Sequence, residues 1–208
     1  MNFFRVISSA LISGVLAFGL VACGGGKVEY VDKKDSAQYT STGLDFHDIE
    51  YAAYNSIQNL LKSEFVLSLD INEKKVLAIS DVVNDTMQQI NVQSLTTKIT
   101  RAMRNSGRFD ISGAVAGSGG MRDNMIDKRA PLRNDAEFDQ FTTIEAGTLV
   151  APNLSLSGKI TQKNTSAGKK QRVDYSFILQ VVDLKTGLVK WDEETNIIKV
   201  ASDKKVAW

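Results

Sequence analysis

Apolar residues recur every three or four positions in two stretches of the N-terminal half of the sequence. The first stripe begins after Asp45, a residue type that favours the N-cap position, and predicts a helix to about Ser63. The second predicts a helix over residues 91–106, and Gly107 stands where a left-handed glycine often follows a helix. The two stripes are Phe46, Ile49, Ala53, Ile57 and Leu60, and Val92, Leu95, Ile99, Ala102 and Met103.

Shorter apolar runs indicate strands between and after these helices. Lys75–Ser80 and Arg108–Ser112 each have polar flanks and predict buried strands, with a turn at Val83–Thr86 after the first. The segment from 113 to 147 is less regular: Gly117–Gly120 predicts a loop. Two short helices are expected beyond it, interrupted at Pro131, over Met121–Lys128 and Asn134–Ile144.

The C-terminal third alternates strictly between apolar and polar residues, which predicts strands buried on one face. Asp183–Gly187 has the turn chemistry of a hairpin, and Val189 and Trp191 resume the alternation after it. With Lys163–Lys170 as the first loop, this is a three-stranded antiparallel meander. The buried positions of its first two strands are Leu154, Leu156 and Ile160, and Val173, Tyr175, Phe177, Leu179 and Val181. The order of elements predicts an α/β (α+β) domain, a small mixed sheet flanked by helices.

The N-terminus has the pattern of a lipoprotein signal peptide over residues 1–22. Arg5 provides the positive charge, and the apolar run Val6–Val21 is too short for a permanent membrane span. The run ends in Leu-Val-Ala before Cys23, which resembles the lipobox of bacterial lipoproteins. Cys23 is the only cysteine of the chain. We therefore expect it to carry the lipid anchor.

Residues 23–43 are expected to form a lipidated flexible tether, and residues 44–208 the globular domain. The tether is rich in glycine and polar residues, and a flexible chain of this length spans about 25 Å. The residue after Cys23 is Gly24, not the aspartate that retains enteric lipoproteins in the inner membrane. By that resemblance the protein is lipid-anchored in the outer membrane, with the domain facing the periplasm.

Charge and composition argue against several functions. The chain has 25 basic and 24 acidic residues, and Arg5 is the only charged residue of the leader, so the remainder is neutral overall. We therefore expect no nucleic-acid partner. The single histidine, His47, is expected to be a surface or capping residue, and no Gly-x-Ser-x-Gly motif occurs. These features predict a protein that is not an enzyme and that has no cofactor or metal. A carboxylate pair brought together by the fold stays an alternative, with Asp81, Asp85 and Glu137 as candidates.

The segment Met121–Gln140 is highly charged but balanced, and is the first choice for a partner-binding surface. A solvated face is the alternative. Trp191 is expected in the core, and the terminal Trp208 is expected to dock back onto the domain, although tryptophan is also common at interfaces. The candidate partner-binding residues are Arg122, Arg129, Arg133 and Phe138.

Several strings of the sequence together resemble the LpoB family, outer-membrane lipoproteins that activate class A penicillin-binding proteins. The resemblance covers most of residues 44–208 in order, and Gly147–Ile160 is its most specific part. The other strings are Val83–Thr86, Arg104–Phe109, Leu132–Phe138, Asp183–Trp191 and Lys205–Trp208.

The resemblance implies a periplasmic domain similar to the N-terminal domain of TolB and a non-enzymatic role, the activation of a class A penicillin-binding protein that synthesises peptidoglycan. One departure concerns the stalk. The family's best-known member has a long Pro-rich stalk, whereas both prolines of this chain lie in the domain and the tether has only about twenty residues. The resemblance therefore supports the family's fold for this chain more strongly than it supports the family's partner.

The short tether favours an alternative function. A structural envelope lipoprotein that assembles with itself, or with an envelope machine such as a flagellar basal disk, would keep its domain at the outer membrane. A peptidoglycan hydrolase is a third hypothesis, for which the sequence offers no motif.

Overall fold

A computed structural model of the protein describes residues 43–117, 121–167 and 170–202. The predicted leader, Cys23, nearly all of the tether, Ser118–Gly120 and Trp208 lie outside the described residues. The described helices are α1 (Phe46–Lys62), α2 (Glu64–Leu67), α3 (Val92–Asn105) and α4 (Met125–Arg133). The strands are β1 (Lys75–Asp85), β2 (Phe109–Ile111), β3 (Leu154–Ala167), β4 (Lys170–Asp183) and β5 (Val189–Ser202).

The strands form one mixed sheet in the order β2-β1-β3-β4-β5. Strand β1 is parallel to both of its neighbours, β2 and β3. Strands β3, β4 and β5 form the antiparallel meander that the alternation predicts. Gly187 has a φ of 71°, as the hairpin between β4 and β5 requires. The Asp183 carboxylate accepts the backbone N–H groups of Thr186 and Lys185 in this turn, and these bonds lower its pKa.

Both predicted long helices are confirmed, together with their termini. Asp45 and Asp48 form a capping box at the start of α1, in which each carboxylate accepts the other residue's backbone N–H. Gly107 follows the C-cap of α3 with a φ of 69°. The core lies between one face of the sheet and helices α1 and α3. Its helical part includes Ile49, Ala53, Ile57, Leu60, Leu95, Ile99 and Met103, and Trp191 packs against it half-buried.

Two predicted loops of the sheet are wrong. Val83–Asp85 belongs to β1, where it pairs with β3 from Lys159 to Thr161, so the turn comes later. Lys163–Ala167 belongs to β3, because the ladder with β4 continues to the pair Ala167 and Lys170. The sequence pattern also does not predict α2, which Ser63 caps by accepting the N–H of Val66.

The two short helices predicted around Pro131 are also wrong. A single helix, α4, contains Pro131, and a 3-10 turn follows at Gln140–Thr142. Pro131 is in the last turn of α4, where its missing N–H removes one hydrogen bond before the helix ends. Residues 135–138 form a turn instead of a helix, because the Gln140 side-chain amide donates to the carbonyls of Leu132, Asp135 and Phe138.

Candidate partner-binding surface

A long exposed segment lies between β2 and β3, in residues Gly113–Asn153, which we term the crossover segment. None of its described residues is buried. Phe141 is fully exposed, and seven other large apolar side chains are at least half exposed. They are Val115, Met121, Met125, Phe138, Ile144, Leu149 and Val150. Because a monomeric domain rarely exposes so many large apolar side chains in one segment, this region is a candidate interaction surface.

The crossover segment is attached to the N-terminal half of β1 at both of its ends. Gly117 N–H donates to the Ile79 carbonyl at 2.9 Å, and Asn153 N–H donates to the Val76 carbonyl at 2.8 Å. A Cβ atom at Gly117 would meet the backbone of Ser80 and Asp81 at about 2.5 Å, so only glycine fits this close approach. Gly117 therefore has a structural role, and the segment has a fixed start and end.

Three of the four predicted partner-binding residues lie together. Arg122, Arg129 and Arg133 line an open groove of about 540 Å³ between α4 and residues 145–152. Each arginine also makes contacts within the crossover segment. Arg122 binds the Asp127 carboxylate and the Ala114 carbonyl. Arg129 donates to the Glu145 carbonyl at 3.1 Å, and Arg133 donates to the Ile144 carbonyl at 2.9 Å.

The groove is lined by three arginines and by two acidic residues, Asp127 and Glu145, and Asp127 is paired with Arg122. Within the described parts of the chain, neither Arg129 nor Arg133 has a carboxylate oxygen within 4.0 Å, and the buried Nε of Arg129 has no hydrogen-bond partner. The walls of the groove are apolar, with Ile126, Leu149 and Val150. Such a surface suits a partner that presents acidic and apolar side chains together.

Phe138 does not line this groove, although it is half exposed on the same segment. Sequence reasoning missed Phe141, Ile144, Leu149 and Val150. Their signal in the sequence is weak, because these apolar residues follow neither a helical nor a strand period. The absence of a periodic pattern around these apolar residues is the signal that could have indicated their exposure.

The other candidate residues from the sequence do not lie together in one site. His47 is exposed in the first turn of α1. Asp85 forms an ion pair with Lys159 at 2.8 Å, and Glu137 is exposed in the crossover segment. In the described ranges, no group of three histidine, cysteine, aspartate or glutamate residues could hold a metal ion. No helix in those ranges is long and apolar enough to cross a membrane.

Gly43, where the predicted tether ends, is held against β5. Lys199 of β5 donates to the Gly43 carbonyl at 2.9 Å and forms ion pairs with Asp45, at 3.2 Å, and Asp48. Burial raises the pKa of Asp45, but the Asp48 N–H and the charge of Lys199 outweigh it and hold that pKa below its usual value.

Gly43 and the attachment of the crossover segment lie near opposite ends of β1. Leu44 N–H donates to the side chain of Gln88, which follows the C-terminal end of β1, whereas Asn153 contacts Val76 near its N-terminal end. The distance along β1 from Val76 to Asp85 is about 30 Å. The attachment of the crossover segment therefore lies away from Gly43 and Leu44.

Comparison with known proteins identifies the family. A family model described as the peptidoglycan-synthase activator LpoB matches residues 48–197. The chain belongs to the LpoB family. This match confirms the resemblance seen in the sequence. The LpoB family is described as a family of peptidoglycan-synthase activators. The search of curated proteins gave no match.

The chain is similar to several solved structures at low sequence identity. The LpoB C-terminal domain from Salmonella enterica is 13% identical over 72% of this chain and 98% of that chain, with a TM-score of 0.41. The NMR structure of Escherichia coli LpoB is 13% identical over 97% and 91%, with a TM-score of 0.40. The lipoprotein GNA1162 from Neisseria meningitidis is 10% identical over 63% and 87%, with a TM-score of 0.33.

Proposed function

We propose that this protein is an outer-membrane lipoprotein, anchored through Cys23, that binds a class A penicillin-binding protein in the periplasm and raises its peptidoglycan-synthase activity. Membership of the LpoB family supports the activating role. The observation that carries the binding role is the crossover segment, in which no described residue is buried and Phe141 is fully exposed. The proposed activator needs no catalytic group of its own.

The crossover segment offers two kinds of contact to a synthase. Phe138, Phe141 and Ile144 provide exposed apolar area, and burial of such side chains contributes about 1.5–3 kcal/mol each. Arg129 and Arg133 provide positive charge that forms no ion pair with a carboxylate among the described residues, although Glu145 lines the same groove. Aromatic residues and arginines dominate the energy of many interfaces, so this combination favours a protein partner over a small ligand.

The position of Gly43 supports the proposed orientation. A tether that enters beside Lys199 would leave the crossover segment on the far side of the domain, toward the periplasm. The domain adds about 30 Å of β1 to the roughly 25 Å span of a flexible tether. The proposed synthase must therefore present its docking region close to the outer membrane.

An affinity capture from cross-linked membranes tests this proposal. The full chain and a Cys23→Ala variant would be purified from the producing cells after brief cross-linking, and the captured proteins identified by mass spectrometry. We expect a class A penicillin-binding protein with the wild type and its loss with Cys23→Ala, because the anchor fixes where the domain can reach. Recovery of outer-membrane proteins alone, with no synthase, would contradict the proposal.

A further inference from the structure

Helix α1 and strand β5 form the walls of an open groove of about 570 Å³, which we term the α1–β5 groove. Strand β5 is at the opposite edge of the described sheet from β2, which precedes the crossover segment. Tyr54 and Lys62 line the groove two turns apart on α1, so it follows the helix for about 12 Å. The groove is therefore a second concave surface, separate from the proposed docking surface.

The lining of the α1–β5 groove is mostly polar and has an unusual share of carboxamides. Asn55, Gln58 and Asn59 of α1 line it, together with Asn196 on the side of β5. A carboxamide carries both N–H donors and a carbonyl acceptor, so each of these side chains can donate and accept hydrogen bonds. Such a lining matches a ligand whose own groups do both.

Two hydrogen bonds between side chains hold the walls of the groove in place. Asn59 donates to the Glu193 carboxylate at 2.7 Å, and the hydroxyls of Ser56 and Thr195 are 2.9 Å apart. Ser56 is fully buried, so this pair fixes α1 against β5 from below. The bond from Asn59 uses only part of the capacity of the two groups, because a carboxylate has about four acceptor sites. The groove is therefore preformed on two regular elements.

Tyr54 adds an aromatic ring to this polar lining, and its side chain is 60% exposed. An exposed tyrosine offers an apolar ring face and a hydroxyl at its tip. A ligand that packs an apolar face on this ring and hydrogen-bonds at its rim would use both parts.

We propose that the α1–β5 groove binds an oligosaccharide of N-acetylated sugars. The C–H face of a sugar ring packs on Tyr54, and its hydroxyl and acetamido groups both donate and accept, as the carboxamides require. Lys62 is outnumbered by Glu193 and Glu194 among the lining residues, which disfavours nucleic acid and other strongly anionic ligands.

The row of carboxamides on α1 also favours a glycan over a peptide strand. A peptide added to the edge of the sheet would pair with the backbone of β5 and would not need the side chains of Asn55 and Gln58. In the proposed periplasmic location, the source of such a glycan is peptidoglycan. That choice of source rests on the proposed function, whereas the class of ligand does not.

Calorimetric titration of the full chain in detergent micelles with the tetramer of N-acetylglucosamine tests the class of ligand. We expect saturable binding, and Tyr54→Ala should weaken it at least about tenfold. Tyr51→Ala is the matched control, because Tyr51 is 67% exposed one turn earlier on α1 but does not line the groove. It should change the affinity less than about twofold.

A second pair of variants tests the carboxamides. Gln58→Ala should also weaken binding of the tetramer, and Gln93→Ala, at an exposed position of α3, should not. No saturable binding by the wild type, or equal weakening by Tyr54→Ala and Tyr51→Ala, would overturn the proposal.

Co-sedimentation with purified, protein-free peptidoglycan sacculi tests the source. We expect the wild type to sediment with the sacculi and Tyr54→Ala to remain in solution. Binding of the tetramer without sedimentation would support the groove but overturn peptidoglycan as its ligand. Because neither measurement contains a synthase, failure here is distinct from failure of the proposed docking.

Discussion

Lys199, in the last strand, binds the start of the first helix, although the two lie far apart in the sequence. Its Nζ is shared between Asp45, Asp48 and the carbonyl of Gly43, and its side chain is only 17% exposed. The contact fixes the first described residue of the chain against β5. Because Asp45 is also the N-cap of α1, a single carboxylate supports both the helix and the attachment of its N-terminus.

Asp45→Asn should make stability less dependent on pH. The lowered pKa of Asp45 means that its charge stabilises the fold above about pH 4 and that this stability is lost as the pH falls through the folded-state pKa. Asparagine keeps the cap but loses the ion pair. We expect Asp45→Asn to unfold about 1 kcal/mol more easily at pH 7, with a smaller difference at pH 3.

Urea denaturation at the two pH values measures this difference. Asp110→Asn, on an exposed position of β2, is the matched control and should show little change at either pH. A difference between wild type and Asp45→Asn that stays constant from pH 7 to pH 3 would refute the role of the Asp45 charge.

Between its attachments to β1, the crossover segment is held by its own hydrogen bonds and not by the core. Its arginines join α4 to residues 144–148, and none of its described side chains is buried. Few buried apolar contacts mean that such a segment opens locally at a lower free energy than the rest of the domain. This property suits a surface that must adapt to a partner.

The double variant Arg129→Ala with Arg133→Ala should loosen this segment without unfolding the domain. We expect faster amide hydrogen exchange over residues 144–150, while the free energy of unfolding changes by no more than about 0.5 kcal/mol. Arg101→Ala with Arg104→Ala, at exposed positions of α3, is the matched control. Exchange that is unchanged in the segment, or a large loss of global stability, would contradict this account.

Local signals in the sequence predicted the two long helices and the Asp183–Gly187 turn, whereas the wrongly predicted turn at Val83–Thr86 and the grouping of the arginines depend on long-range contacts. The Asp45 cap, Gly107 and Gly187 act on neighbouring residues, so the sequence alone indicates them. Val83–Asp85 resembles a turn, yet it is a strand because β3 pairs with it. The grouping of Arg122, Arg129 and Arg133 depends on how the chain returns to α4 after residue 144, which no local pattern predicts.

The two ends of the domain differ in what they present. One end carries Gly43, the first described residue, and the other carries the attachment of the crossover segment. The sheet between them is wide enough to leave β5 at one edge and β2 at the other. Anchoring and docking onto a synthase would therefore use separate surfaces.

The most direct test of the proposed function is the rate of glycan polymerisation by a purified class A penicillin-binding protein from the same cells. We expect the wild-type chain in detergent micelles to raise this rate, and Phe138→Ser with Phe141→Ser to weaken binding at least about tenfold, because two exposed aromatic anchors are lost. Met87→Ser, at an exposed apolar residue near Gln88, should keep full activation. No stimulation by the wild type, or equal stimulation by the double variant, would contradict the account.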